Sequence, residues 1–270
     1  MKNILITGAY GGMGRAAVKL FAKSGYCVFA LDKNVDDSAF EKQTNYKNII
    51  PVKADVTDQT SIVRAFEVVK SVTDELFAIV HFAGVYMLDS FIEIENESLE
   101  NIFKINFLGA VLINKTFMPL LKSGSRIVMT TSELAPLNPL PFTGIYAVTK
   151  GALDKYAYSL RMELQLLKIN VSVLRAGAVK TGMLGDSTRA LARFCDKTQL
   201  YKYNAERFKK IVNRVETKCV EPEKIAAFVN KILNKKNAAF AYSINANFAL
   251  KLLSLLPKKL QFYVIRKILK

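Results

Sequence analysis

Two side chains that can transfer and stabilise a proton lie four positions apart in the segment I-Y-A-V-T-K, residues 145–150. Positions i and i+4 of a helix share one face, so the phenol of Tyr146 and the ammonium of Lys150 can point into the same space. An ordinary tyrosine, with a pKa of about 10, is too weak a base near neutral pH. An ammonium about 4 Å away stabilises the phenolate by roughly 4 kcal/mol at an effective dielectric of about 20. The spacing suits a general acid/base, and it equally suits a solvated surface pair.

A glycine-rich loop, T-G-A-Y-G-G-M-G, follows the first apolar run of the chain. Gly8, Gly12 and Gly14 permit a tight turn, a close approach of the backbone to a phosphate, and close packing of a helix on a strand. A helix that begins here would present free N–H groups and its positive dipole end to a pyrophosphate. Any tight strand–helix turn needs glycines, so the loop by itself is weak evidence for a dinucleotide site.

An acidic residue at the end of the second apolar run strengthens the dinucleotide hypothesis. The carboxylate of Asp32 can accept hydrogen bonds from a ribose 2′-OH, and it repels a 2′-phosphate. Lys33 and Arg15 offset that charge only in part, so the sequence favours NAD(H) over NADP(H). Asp55, at the end of the third run, is expected beside the adenine, and an N-cap of the following helix explains this residue equally well.

The elements that must position these residues alternate between short apolar runs and longer helical periods. Strands are expected at Asn3–Thr7, Tyr26–Leu31, Ile49–Ala54, Phe77–Phe82, Arg126–Thr130, Asn170–Arg175 and Ala239–Ile244. Helices are expected near Gly12–Ser24, Asp36–Thr44, Ser61–Val72, Leu99–Leu121, Ile145–Leu167 and Pro222–Asn234. Because the strands are almost wholly apolar, the pattern predicts an α/β fold with a Rossmann-like, doubly wound parallel sheet of about seven strands and helices on both faces. Ligands of such sheets bind beyond the carboxyl ends of the strands.

Two segments depart from this alternation. Residues 182–220 have an amphipathic helical pattern and emerge after the sixth strand, so we interpret them as a lid over the substrate, with a packing subdomain as the alternative. Residues 249–270 form a basic tail of two short amphipathic helices separated by Pro257. We therefore predict a single dinucleotide-binding domain over residues 1–248, followed by this tail.

The composition restricts the partners of the protein. Of the 270 residues 51% are hydrophobic, and the formal net charge is +16. From Lys224 to the C-terminus there are ten Lys or Arg residues and no Asp or Glu. Because no groove-reading module or aromatic–basic pattern accompanies them, nucleic acid is not an expected partner. The tail fits peripheral contact with an anionic membrane, and docking on the protein itself is an equal alternative.

The cysteines and the apolar runs indicate a cytoplasmic protein. Cys27, Cys195 and Cys219 are odd in number and widely spaced, so they predict neither a disulfide framework nor a metal site. The N-terminal apolar run is too short for a signal peptide. No run of about 20 apolar residues predicts a transmembrane helix.

Seven short motifs, in order, resemble the short-chain dehydrogenase/reductase family over about residues 1–235. They are T-G-A-Y-G-G-M-G, A-D-V, F-A-G at 82–84, I-N-F-L-G at 105–109, T-T-S at 130–132, Y-A-V-T-K, and R-A-G-A-V-K-T at 175–181. The resemblance implies an NAD(H)-dependent oxidoreductase that interconverts a secondary alcohol and a ketone. The insertion and the L-L-P-K-K-L ending are similar to the branch that acts on lipophilic alcohols such as steroids and retinoids. The family also implies a homodimer or homotetramer built on the two longest helices.

The resemblance also assigns roles to individual residues. Tyr146 would be the general acid/base, and Lys150 would lower its pKa and bind the ribose. Ser132 would hydrogen-bond the substrate oxygen, Asn106 would hold a water that links Lys150 to solvent, and Thr181 would contact the nicotinamide carboxamide. The expected cofactor-binding residues are Gly8, Tyr10, Gly12, Met13, Gly14, Asp32, Lys33, Asp55, Val56, Ala83, Gly84, Tyr146, Lys150, Gly177, Val179 and Thr181.

Three departures from the family pattern leave alternatives open. The loop between Ser132 and Tyr146 is one residue longer than expected, and Thr131 would replace Ser132 if that loop shifts. Ala176 stands in place of a common proline. His81 stands in place of a common asparagine, and we expect it to form a structural hydrogen bond with neighbouring backbone. Two further functions fit the sequence, namely reduction of a polar carbonyl such as a sugar or acyl-thioester, and a non-catalytic dinucleotide-binding sensor or scaffold.

Overall fold

Seven parallel strands form the sheet that the sequence predicts. The computed structural model describes residues 1–36, 40, 47–216 and 218–270, except for the side chains of residues 183–188 and 214–216. The strands are β1 Asn3–Thr7, β2 Cys27–Asp32, β3 Ile49–Lys53, β4 Leu76–His81, β5 Leu121–Thr130, β6 Asn170–Ala176 and β7 Ala241–Ile244. Their order is β3-β2-β1-β4-β5-β6-β7. The direction of winding reverses between β1 and β4, so the predicted doubly wound α/β fold is confirmed.

Helices cover both faces of this sheet. They are α1 Gly12–Lys23, α2 Gln59–Lys70, α3 Asn96–Phe103, α4 Gly109–Phe117, α5 Gly144–Leu164, α6 Gly182–Lys197, α7 Lys202–Glu216, α8 Pro222–Leu233, α9 Phe248–Leu255 and α10 Lys258–Leu269. A π-helical turn, Lys104–Leu108, joins α3 to α4. The helix expected near Asp36–Thr44 falls on a segment most of which lies outside the described residues.

Alternation along the strands divides the core into two apolar layers. Leu5 of β1 packs in the layer that includes side chains of α2, α4 and α5. Its neighbours Ile4 and Ile6 pack in the opposite layer, which includes side chains of α1 and α8. All three are fully buried. Successive strand residues point to opposite faces, so a strand that is covered on both sides has to be apolar at every position.

The segment expected as one long helix over Leu99–Leu121 is instead divided. It begins at Asn96, passes through the π-helical turn, and ends in a 3₁₀ turn, Met118–Leu120. Strand β5 then starts at Leu121 rather than Arg126. The pairing with β4 shifts register over this stretch. There Gly124 has a φ of 95°, and the Ser125 hydroxyl donates to the Leu76 carbonyl at 2.7 Å. An irregular strand of this kind lacks the uniform alternation on which a prediction depends.

The inserted helices and the C-terminal tail pack on one another. The pair α6 and α7 surrounds Phe142 with buried apolar side chains, and Leu269 of α10 packs against the same cluster. The Asn204 side chain donates to the Leu269 carbonyl at 2.7 Å. The Asn138 side chain donates to Gln261 at 3.2 Å. The tail is therefore docked on the protein, as one of the two sequence hypotheses expects.

Candidate active site

Two adjoining cavities open at the carboxyl ends of the strands. The glycine-loop cleft, of about 450 Å³, is lined by the loop after β1 and by the residues that end β2 and β3. The Tyr146 cavity, of about 220 Å³, is lined by residues of the loop after β5, of the start of α5, and of α7 and α9. Met13, Phe82, Gly84 and Thr181 border both cavities. Every residue of the expected cofactor-binding set borders one of the two.

The glycine-loop cleft has the features of a phosphate site. Gly8 has a φ of 66°, which a residue with a side chain rarely adopts. A Cβ on Gly14 would lie 2.0 Å from the Gly8 carbonyl oxygen, so α1 packs directly on the loop. Gly11 is the N-cap of α1 and has no side chain to accept from the first N–H groups of the helix. These N–H groups and the helix dipole fit the pyrophosphate of a dinucleotide.

The carboxylate of Asp32 is held at the wall of this cleft by backbone donors. The N–H of Tyr10 donates to one oxygen at 3.0 Å, and the N–H of Asn34 donates to the other at 3.1 Å. Asp32 thereby joins the end of β2 to the glycine loop. A carboxylate in this position fits the ribose hydroxyls of a bound dinucleotide.

Asp55 lies on the far side of the same cleft. Burial tends to raise the pKa of its carboxyl, but the Thr57 N–H, the Thr57 hydroxyl and the charge of Lys33 outweigh that effect and hold the pKa below its usual value. The residue that caps α2 is Asp58, whose side chain accepts from the Thr60 N–H at 2.9 Å. The interpretation of Asp55 as the N-cap is therefore wrong.

Tyr146 and Lys150, the residues expected to transfer and stabilise a proton, are both buried. Burial raises the pKa of Tyr146 to about 12, while its hydrogen bond with Ser132 opposes the shift and the charge of Glu133 adds to it. Burial lowers the pKa of Lys150 to about 8. The Lys150 ammonium donates to the Thr130 carbonyl at 3.1 Å and lies 5.8 Å from the centre of the Tyr146 ring. The pKa of Tyr146 moves upward, against expectation, because the loss of water outweighs the hydrogen bond with Ser132.

Ser132, rather than Thr131, faces the catalytic tyrosine candidate. Ser132 is a hydrogen-bond partner of Tyr146. The Thr131 hydroxyl instead donates to Asp154 at 3.3 Å. Asp154 in turn forms a two-point ion pair with Arg175, at 3.0 and 2.8 Å. The longer loop after β5 therefore leaves the serine where the resemblance places it.

Asn106 lies in the π-helical turn and ties three segments together. Its side chain accepts from the Val85 N–H at 2.8 Å and donates to the Val85 carbonyl at 2.9 Å. It also donates to the Thr149 hydroxyl at 3.2 Å. A Cβ on Gly84 would lie 3.1 Å from the Asn106 side-chain oxygen and 3.3 Å from the Lys150 ammonium. The side chains of Asn106 and Lys150 thus both approach Gly84, and they leave room for only a small residue at this position.

His81 has a structural partner, although a different one from that expected. Its Nε2 lies 2.9 Å from the side-chain oxygen of Asn114. The side-chain amide nitrogen of Asn114 donates to the Tyr156 hydroxyl at 3.3 Å. The expected partner was neighbouring backbone. Burial lowers the pKa of His81 to about 4, so the ring is neutral near neutral pH.

Several residues of the Tyr146 cavity had not been singled out as site residues from the sequence. The Tyr86 ring meets the Tyr146 ring edge to face, with 4.6 Å between their centres. Glu133, Phe208 and Leu250 also border the cavity. The position of Glu133 directly after Ser132 was a usable signal. Leu250 lies in the tail, more than a hundred residues from Tyr146, and nothing local in the sequence marks it.

The comparisons with known proteins agree with this geometry. The sequence profile of the family described as short chain dehydrogenase matches residues 2–192. Estradiol 17-beta-dehydrogenase 2 of Mus musculus is 31% identical over 189 residues, which cover 68% of this chain and 50% of that protein. The chain therefore spans about half the length of that relative. A 3-ketodihydrosphingosine reductase of Bacteroides thetaiotaomicron is 24% identical over 97% of this chain and 96% of its own length.

The fold also matches solved structures. A short chain dehydrogenase/reductase from Burkholderia phymatum in complex with NAD superposes with a TM-score of 0.73. The match covers 89% of this chain and 88% of that chain at 20% sequence identity. At this identity the likeness concerns the fold alone.

Proposed function

The chain belongs to the short-chain dehydrogenase/reductase family, and we propose that it interconverts a secondary alcohol and a ketone on a bulky, lipophilic substrate. The observation that carries this proposal is the buried group of Ser132, Tyr146 and Lys150 beside a glycine-loop cleft. The family is one of oxidoreductases that use NAD(H) or NADP(H), and the cleft fits such a dinucleotide. When bound, the nicotinamide would supply or accept the hydride.

The three side chains divide the remaining work. Ser132 binds the substrate oxygen, and the Tyr146 hydroxyl exchanges a proton with it. With a pKa of about 12, the phenol is protonated near neutral pH and suits the donor role in ketone reduction. Lys150, whose pKa is about 8, keeps most of its charge near neutral pH and stabilises a phenolate in the reverse direction.

NAD(H) is the cofactor that we propose, because the charged groups of the cleft favour it. Asp32 is fixed by two backbone N–H donors at the place where the ribose hydroxyls would lie. A 2′-phosphate would meet this negative charge at short range, and Lys33 would compensate it only in part.

The Tyr146 cavity suits an apolar substrate. Leu134, Leu140, Phe208, Val212 and Leu250 contribute to its wall. The relative from Bacteroides thetaiotaomicron, which is similar over nearly its whole length, is named as a 3-ketodihydrosphingosine reductase. The lid role of α6 and α7 is part of this proposal, since Phe208 and Val212 come from α7.

The activity is tested by following NADH oxidation with a panel of ketosteroids, retinoid and long-chain ketones, sugars and acyl-thioesters. We expect turnover of one or more apolar ketones with NADH. Turnover confined to sugars or acyl-thioesters would contradict the lipophilic substrate. Tight NADH binding without turnover of any ketone would favour a sensor or scaffold over an enzyme.

We also propose that the outer face of the tail contacts an anionic membrane. No helix in the described part of the chain is long and apolar enough to cross a membrane. The outer face of α9 and α10 exposes Phe248, Leu252, Leu255, Leu260, Phe262, Tyr263 and Ile268. Lys251, Lys258, Lys259, Arg266, Lys267 and Lys270 belong to the same segment. Exposed apolar groups beside cations are typical of helices that lie in a charged membrane surface.

Membrane contact is tested by sedimentation with phosphatidylserine vesicles. Deleting the tail would remove Leu250 from the cavity wall, so point substitutions are the better probe. Leu255, 80% exposed, is changed to serine. As a control, Leu166, which is 81% exposed in the 3₁₀ turn Gln165–Leu167 after α5, is also changed to serine. We expect L255S to reduce salt-sensitive sedimentation and L166S to leave it unchanged. Equal sedimentation of both variants and the wild type would contradict membrane contact through α9.

The family resemblance and the exposed apolar side chains support a homo-oligomer. Tyr158 and Met162 of α5 are 56% and 52% exposed, and Leu108 before α4 is 44% exposed. We propose that these helices form the interface of a dimer, which light scattering of the purified protein would test. A monomer at micromolar concentration would contradict it. The cytoplasmic location stays a prediction.

A further inference from the structure

A carboxylate that the proposed mechanism does not use lies in the wall of the Tyr146 cavity. Glu133 directly follows Ser132, and both border the cavity together with Tyr146. The charge of Glu133 raises the pKa of Tyr146, although burial and the hydrogen bond with Ser132 have larger effects. Among the described residues of this wall, Glu133 is the one carboxylate.

Only one oxygen of this carboxylate has a protein donor. Oε2 accepts from the backbone N–H of Asn247, which caps α9. Oε1 accepts no hydrogen bond from the residues that the structure describes, and it lies 3.3 Å from the position of a Cβ on Gly177. Lys251 acts on Glu133 at longer range and, within the described part of the chain, no lysine or arginine forms an ion pair with it.

Glu133 is half-buried in the cavity wall, where a carboxylate without an ion-pair partner is costly. Burial raises the pKa of Glu133, and the Asn247 N–H and Lys251 offset this only in part. A cationic group of a ligand would supply the missing charge. A primary ammonium brings three N–H donors, and its hydrogen bonds to a carboxylate are roughly twice as strong as neutral ones.

The position of Glu133 decides where on a substrate such a cation would lie. Ser132 and Tyr146 bind the carbonyl oxygen under the proposed function. Glu133 lines the same cavity as these two residues and its charge acts on Tyr146, so the carboxylate serves a group close to that oxygen. We propose that Glu133 is an ammonium-binding subsite and that the substrates are apolar ketones with an amino group next to the carbonyl. This inference rests on the proposed function for the position of the carbonyl.

The proposal is tested with two ketones that differ in one group, 2-aminododecan-3-one and 2-methyldodecan-3-one. The measured quantity is the ratio of kcat/KM for the amino ketone to kcat/KM for the methyl ketone, with NADH. In the variant Glu133→Gln, the amide oxygen can still accept from the Asn247 N–H while the charge is lost. Glu163→Gln, an exposed glutamate of α5, is the matched control.

We expect the wild type and E163Q to prefer the amino ketone by about tenfold or more, the effect of a hydrogen bond to a charged group. E133Q should lower that ratio by about tenfold. A wild-type ratio near one, or a ratio that E133Q leaves unchanged, would overturn the ammonium subsite even if both ketones are reduced.

A binding measurement separates this inference from the proposed function. The probes are 2-aminododecan-3-ol and 2-methyldodecan-3-ol, titrated by calorimetry into the protein with bound NADH. Tighter binding of the amino alcohol to the wild type, lost in E133Q, supports the subsite even if neither ketone is turned over. Equal binding of the two alcohols to the wild type overturns it.

Discussion

The glycine-loop cleft and the Tyr146 cavity adjoin at one edge of the sheet, but the chain builds them in different ways. Backbone and short side chains at the ends of neighbouring strands form most of the cleft. The cavity takes its wall from the loop after β5, from α7 and from α9, which are distant in sequence. A change in the cleft should therefore affect every reaction of the protein. A change in the apolar side chains of the cavity wall should affect the choice of substrate.

The largest expected effect on cofactor binding is that of Gly14→Ala in the cleft. The new Cβ would lie 2.0 Å from the Gly8 carbonyl oxygen, so α1 and the loop have to separate. We expect NADH affinity, measured by fluorescence titration, to fall by about a hundredfold or more, equivalent to about 3 kcal/mol. Gly11→Ala is the control, since its Cβ would contact the same oxygen at 3.4 Å. Equal affinities of the two variants would refute this account of the loop.

The next effect concerns the choice between NADH and NADPH. Asp32→Ala removes the carboxylate that favours a ribose hydroxyl over a phosphate, so we expect the ratio of kcat/KM for NADH to that for NADPH to fall by about tenfold or more. Asp55→Asn is the control, because a residue beside the adenine contacts both cofactors alike. If the wild type already prefers NADPH, the proposed preference is wrong.

His81 is a buried polar group that serves folding, in contrast to the buried polar groups that serve chemistry. Its pKa is lowered to about 4 in the folded protein and is about 6.5 when unfolded. The unfolded state therefore binds more protons between these values, and stability falls as the pH drops from 6.5 towards 4. Urea unfolding should give a free energy roughly 2 kcal/mol lower at pH 5 than at pH 7 from this group alone. His81→Gln should lose that share of the difference, and an unchanged pH dependence would contradict the assignment.

The smallest effect is expected from Phe208→Leu in the cavity wall. Shortening this side chain removes apolar contact with the substrate, so the KM for an apolar ketone should rise about fivefold, or about 1 kcal/mol. NADH affinity should stay within twofold. Tyr203→Leu, at a position of α7 that is 87% exposed, should change neither quantity. An equal loss of NADH affinity in F208L would remove the distinction between the two regions.

The same distinction explains what the sequence could predict. The cleft depends on short motifs at strand ends, and a parallel sheet brings such ends together whatever the loops do, so Gly8, Asp32 and Asp55 could be placed in advance. The cavity depends on contacts such as that between Glu133 and Asn247, which lie 114 residues apart. No local pattern encodes a contact of that separation. The π-helical turn that holds Asn106 was missed for a related reason, since one extra residue in a helix hardly changes its apolar period.

The central claim is that Tyr146 exchanges the proton with the substrate oxygen. It is tested most directly by measuring kcat and NADH affinity for Tyr146→Phe, which keeps the ring in contact with Tyr86 and removes the hydroxyl. We predict that kcat falls by about 10²- to 10⁴-fold, the usual contribution of a general acid/base, while NADH affinity stays within about threefold. A variant that retains more than about a tenth of wild-type kcat would contradict the claim.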